Sequence, residues 1–180
     1  MHPRIASWAS ARDYVAIGNL GEQVTARLLV EAYYQVLATQ DDLLGGVANI
    51  LERAASEKPE DFIAIDPGGR LITVNSKATV SAASSRVTRD GNLSAPRMRG
   101  QGVIDYYSLR AGLISPLDGA QTHGQVVKVD LVHLKAQVFE IEDDGHLSPL
   151  GTPTDVDAHV EQVLNDYPGR VPPPRSADWA

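Results

Sequence analysis

Cysteine is absent from the 180 residues. That excludes disulfides, thiolate zinc centres and a cysteine nucleophile. No apolar run approaches the ~18 residues that a membrane-spanning helix needs. The opening stretch, Met1 to Tyr14, holds no apolar run of leader-peptide length either. A chain that resides in the cytoplasm and has no membrane partner is expected. Positive charge is also scarce, with 16 Lys and Arg against 23 Asp and Glu for a net charge of −7. A general polyanion binder is thereby excluded, and any contact with nucleic acid must run through a local basic patch. The histidines show no H-x-x-x-H spacing, and Asp143-Asp144-Gly145 lacks the remaining ligands of a calcium loop. Ser84-Ser85 has no nucleophile-elbow context.

What is present reads as one α/β domain with tails. Residues 1–12 read as an arm and residues 168–180 as a Pro-rich tail that need not fold. Between them, Val15, Leu20, Val24, Leu28 and Leu29 form a stripe at helical spacing. Gly18 and Gly21 weaken its start, so a helix is expected from about Gly21 to Tyr33. Tyr34 to Thr39 is short and β-prone, and Val47 to Ser56 reads as one or two helical turns. Asp61 to Ile65 and Arg70 to Ser76 flank Asp66-Pro67-Gly68-Gly69, a strong turn signal, and so predict a hairpin. Residues 78–100 are small, polar and basic and predict a long loop. Val103 to Ile114 predicts a helix. Val126 to Leu134 and Gln137 to Ile141 predict strands. Asp155 to Tyr167 predicts a helix capped by Thr154. This order implies a mixed sheet with helices packed on it.

Three features in that order carry chemistry. Glu22 lies on the first helix, Asp61 opens a strand, and Lys77 ends the next. A tight hairpin sets Asp61 and Lys77 at neighbouring ends of the sheet, and helix packing can bring Glu22 to the same edge. Carboxylates that converge can hold a hard divalent cation. The cation polarises a phosphoryl group and acidifies a water, and a lysine can orient that water or stabilise developing charge. The arginines Arg86, Arg89, Arg97 and Arg99 form the one basic cluster, suited to bidentate phosphate contact.

The stretches Gly18–Thr39 (GNLGEQVTARLLVEAYYQVLAT) and Pro59–Thr79 (PEDFIAIDPGGRLITVNSKAT) resemble the PD-(D/E)XK, or restriction-endonuclease-like, nuclease superfamily. The resemblance spans roughly residues 13–142. It implies a restriction-endonuclease-like mixed β-sheet flanked by helices. It also implies Mg²⁺-dependent phosphodiester hydrolysis on DNA, with Glu22 and Asp61 as metal ligands and Lys77 as the catalytic lysine. Gln101, with Tyr106 or Tyr107, matches the helix that follows the lysine in that family. One position departs from the pattern. The second acid belongs two residues before the lysine, and here stands Asn75. An amide offers an oxygen but no charge, so cleavage is expected to be weakened unless Glu60, Asp66 or Glu22 compensates. The alternative is an inactive module on the same fold that binds nucleic acid or a protein partner, a second copy of the chain included. A third reading is an unrelated α/β interaction protein.

Overall fold

A computed structural model describes residues 1–40, 61–97, 123–142 and 145–178. The first element is helix α1, Pro3–Ala11. The arm expected here is therefore helical, with Pro3 at a first-turn position where its missing N–H costs nothing. Arg4 explains why so short a helix holds. Its guanidinium donates to the carbonyl oxygens of Leu164, Tyr167 and Gly169, far along the chain.

Helix α2, Tyr14–Glu31, starts a full two turns earlier than the glycines suggested. Asp13 caps it by accepting from the Ala16 N–H at 3.0 Å. Ala16, Ile17, Leu20, Val24 and Leu29 form its buried face. That burial outweighs the low helix propensity of Gly18 and Gly21.

The strands are β1 (Gln35–Thr39), β2 (Phe62–Ile65), β3 (Leu71–Thr79), β4 (His123–Asp130), β5 (Lys135–Ile141) and β6 (Leu147–Asp155). They make one sheet in the order β1-β2-β3-β4-β5-β6. Every neighbouring pair is antiparallel except β3 and β4, which are parallel. Parallel neighbours require a crossover, and here it falls between Thr79 and His123. The β2–β3 hairpin turns where expected. The Asp66 carboxylate accepts from the Arg70 N–H at 2.8 Å, and Gly69 supplies φ +82°.

Strand β6 has no counterpart among the sequence expectations, and it carries Pro149, Gly151 and Pro153. It is an edge strand, where proline is tolerated. Helix α3, Asp157–Asp166, begins after Val156 rather than after Thr154, which belongs to β6. Val156 at the cap offers no side-chain acceptor, and the Asp155 carboxylate accepts from the Asp157 N–H at 3.1 Å.

Helices α1, α2 and α3 cover one face of the sheet. There Leu20 and Val24 meet Phe62, Ile72, Val74, Val127, Val129 and Val163. On the other face Leu93 packs with Val126, Phe139 and Ile141. The Pro-rich tail folds onto α2. Val171 is fully buried, Asn19 donates to its carbonyl at 2.8 Å, and Gln23 donates to that of Pro172 at 3.1 Å. The expected helices over residues 47–56 and 103–114 lie outside the described residues. Among the described residues, no helix is long and apolar enough to cross a membrane.

Candidate phosphate-binding cleft

β2 pairs with β3 only over Leu71 to Val74. From Asn75 to Thr79, β3 keeps β4 as its partner, and among the described residues no strand pairs with its other edge. Asp61 stands where the two strands part. Its Oδ2 accepts from the Ser76 N–H at 2.6 Å, taking over a donor that β2 no longer pairs. The Asp61 carbonyl accepts from the Gln40 N–H at 2.9 Å. Asn75 is nearly buried, and Lys77 Nζ lies 3.4 Å from its Oδ1. Asp61, Asn75 and Lys77 therefore gather around one stretch of β3.

Helix α2 crosses this stretch on the far face. Thr25 Oγ1 lies 2.9 Å from Ser76 Oγ, and Gly21 rests on Ala78. Alternation along β3 then turns Asn75 and Lys77 away from the helix. Glu22 follows Gly21 on this helix, on the opposite side of β3 from Lys77, and is half-buried. Asp66, expected as a possible compensating acid, does not join this group. It sits at the opposite end of β2 and is paired with Arg70 Nε at 2.6 Å. Glu60 and Gln101 lie outside the described residues, as do Tyr106 and Tyr107.

The face that carries Lys77 opens into a cleft of about 360 Å³ beneath the 81–97 loop. Lys77, Ser84, Arg86, Ser94, Arg97 and Lys128 line it, with small residues between them. Lys77 and Lys128 are register partners across the parallel β3–β4 pair. Arg86 and Arg97 are exposed at the rim. Of the four arginines singled out in the sequence, these two reach the cleft. Arg89 is exposed but does not line it, and Arg99 lies outside the described residues. No carboxylate lines the cleft among the described residues. A chain with net charge −7 thus concentrates four cations around one concavity, where low-dielectric walls focus their field.

Lys128 escaped the sequence reading. The signal was a lysine and an aspartate inside the apolar run VVKVDLV, two positions rarely buried without partners. Lys128 is 3% exposed, and burial pulls its pKa below the ordinary lysine value, with Asp130 opposing the shift. Asp130 is fully buried. Burial pushes its pKa up, but hydrogen bonds from His133, Ser85 and Val132 prevail and hold it below the ordinary carboxylate value.

These residues do not fit a resident magnesium ion. Among the described residues no three His, Asp or Glu side chains converge as a metal site. One oxygen of Asp61 is committed to the Ser76 N–H, and the neighbouring position carries the Asn75 amide with an ammonium beside it. The arrangement instead suits an anion, with fixed cations on a floor and two guanidinium forks at the rim. No protein-family model, curated protein or solved structure matches the chain.

Proposed function

We propose that this chain binds nucleic acid through the cleft between β3, β4 and the 81–97 loop, on a scaffold built like a restriction-endonuclease-like nuclease. Asn75 replaces the acid that such a nuclease would use to hold its metal, so the chain grips the phosphate backbone and cleaves weakly or not at all. The observation that carries this reading is the convergence of Lys77, Arg86 and Arg97 on one cleft without a carboxylate among its described lining. The element order, a helix followed by β1, β2 and β3 and then a crossover to β4, supports the scaffold half of it. The described lining includes alanines, serines and a proline but no aromatic ring for base stacking. Contacts are therefore to phosphates, and binding is largely independent of sequence. A cytoplasmic location belongs to the same reading.

The test is fluorescence anisotropy with a labelled DNA duplex over a range of salt. Three phosphate contacts give a slope of log K against log salt of about −2.7. Arg86→Gln and Arg97→Gln should each weaken binding and flatten that slope by about 0.9. Salt-insensitive binding, or none to duplex or single strand, would reject the proposal. Cleavage with Mg²⁺ or Mn²⁺ that disappears in Asp61→Ala would instead assign the active nuclease that the resemblance implies.

A further inference from the structure

We propose that Lys128, together with Asp130, is a positioning residue: it holds the 81–97 loop in the shape that presents Arg86 and Arg97, and gives no hydrogen bond of its own to the ligand. The inference rests on the nucleic-acid reading of the cleft.

An ammonium has three N–H donors. Lys128 Nζ directs them at Ser84 O, 2.7 Å away, Ser94 O at 2.8 Å and Ser94 Oγ at 2.9 Å. Its donors are thus spent inside the protein. Lys77, its neighbour across the strand pair, is half-buried and faces the same cleft. Two lysines in register therefore have different tasks, and burial separates them.

Ser84 and Ser94 sit on the two arms of the loop. Between them the chain doubles back. Ser94 N donates to Arg86 O at 2.7 Å, Thr88 N to Asn92 O at 2.7 Å, and Gly91 takes φ +80° at the tip. Leu93 anchors the return arm in the second core, with its N–H on Gln137 Oε1 at 2.7 Å. One buried ammonium thus pins both arms at their base, just ahead of Arg86 on one arm and of Arg97 on the other. Asp130, two residues along the same face of β4, adds a second tie. Its Oδ1 accepts from Ser85 Oγ at 2.8 Å and from the N–H groups of Val132 and His133. The loop is therefore linked to the β4–β5 turn as well as to the strand.

Preorganisation of this kind reduces the ordering cost that a flexible arginine loop meets on binding. It also means that any direct contact between Lys128 and a phosphate would strip a hydrogen bond from a buried carbonyl.

Full-length Lys128→Met separates a clamp from a contact. Hydrogen exchange without ligand should show the amides of residues 84–94 exchanging about ten-fold faster or more, with the β2–β3 hairpin unchanged. Binding to a short labelled duplex should weaken about ten-fold, and its salt slope should flatten by about two contacts, because both arginines lose their seat. Arg86→Gln should then add less to Lys128→Met than it costs alone. A slope change of about one contact, with additive arginine effects, would make Lys128 a ligand contact and overturn the proposal. If the natural chain binds no nucleic acid, the reading of the cleft fails, yet loop exchange still decides: unchanged protection in Lys128→Met overturns the clamp. Should Lys128→Met not fold, Ser94→Ala and Ser85→Ala each remove one tie, and each should speed exchange in the loop alone. Unchanged loop exchange in both would also overturn it.

Discussion

Gly21 lies directly on Ala78: a Cβ built on the glycine would stand 2.6 Å from the alanine Cβ. Only hydrogen at this position lets α2 approach β3 closely enough for Thr25 to reach Ser76. Gly21→Ala gains about 1 kcal/mol in intrinsic helix propensity. The forced displacement of helix or strand is nevertheless expected to destabilise the fold by about 1–3 kcal/mol. Urea denaturation measures the net effect, and Ala78→Gly in the same chain should recover much of it. An unchanged midpoint in Gly21→Ala would mean that this contact does not set the helix position.

Introducing charge at Asn75 tests whether the surrounding residues can hold a metal. Asn75→Asp places a carboxylate within reach of Lys77 and near Asp61. The expected gain is Mn²⁺ uptake by calorimetry, accompanied by a melting temperature that rises with Mn²⁺ concentration. If neither Asn75→Asp nor Asn75→Glu takes up Mn²⁺, the surrounding geometry is not that of a metal site.

Acid should destabilise the protein through two aspartates. Burial raises the pKa of Asp66, but the Arg70 backbone and side-chain hydrogen bonds and the Arg70 charge prevail and hold it below the ordinary 3.8. Asp130 is held below the same value. A carboxyl depressed by folding stabilises the native state fully above its unfolded pKa. That contribution is lost as pH falls from 3.8 through the depressed values. Thermal melts should therefore show a steep loss in this acid window, shallower in Asp66→Asn and in Asp130→Asn. At neutral pH, Asp130→Asn should itself cost about 1–3 kcal/mol, since a buried charged acceptor of several hydrogen bonds is replaced. Acid profiles of equal steepness in all three chains would show that neither carboxylate contributes.

Arg4 ties the beginning of the described chain to the end of α3. Its guanidinium accompanies the last carbonyls of that helix and lies 5.1 Å from the centre of the Trp8 ring. Arg4→Ala is expected to cost about 1–3 kcal/mol and to speed amide exchange in both α1 and the last turn of α3. Arg4→Lys should recover little, because an ammonium cannot fork across carbonyls in this way. A midpoint in urea equal to that of the natural chain would discount the tie.

Local signals were legible where local physics decides. Asp66-Pro67-Gly68-Gly69 announced the hairpin, and the hairpin alone was enough to set Asp61 beside the residues around Lys77. Elements stabilised from a distance were not legible. α1 leans on carbonyls some 160 residues away, and Val171 is buried by a helix at the other end of the chain. β6 drew no strand expectation, since it holds prolines that an edge strand tolerates and a central strand would not. The role of Lys128 depends on Ser84 and Ser94, which are 44 and 34 residues earlier. Nothing in VVKVDLV names them. The cleft was half visible, as a run of arginines after a lysine, but which of them face it is set by how the loop doubles back.

The edge strand β6 has a consequence for assembly. Pro149 and Pro153 each lack an N–H to offer a neighbouring strand, and the pairing with β5 is broken by an irregularity beside Gly151, whose φ is +66°. An interrupted edge is a poor template for another chain. A second copy that docks on this side of the molecule cannot simply lengthen the sheet past β6, so this strand serves as a stop as well as a boundary.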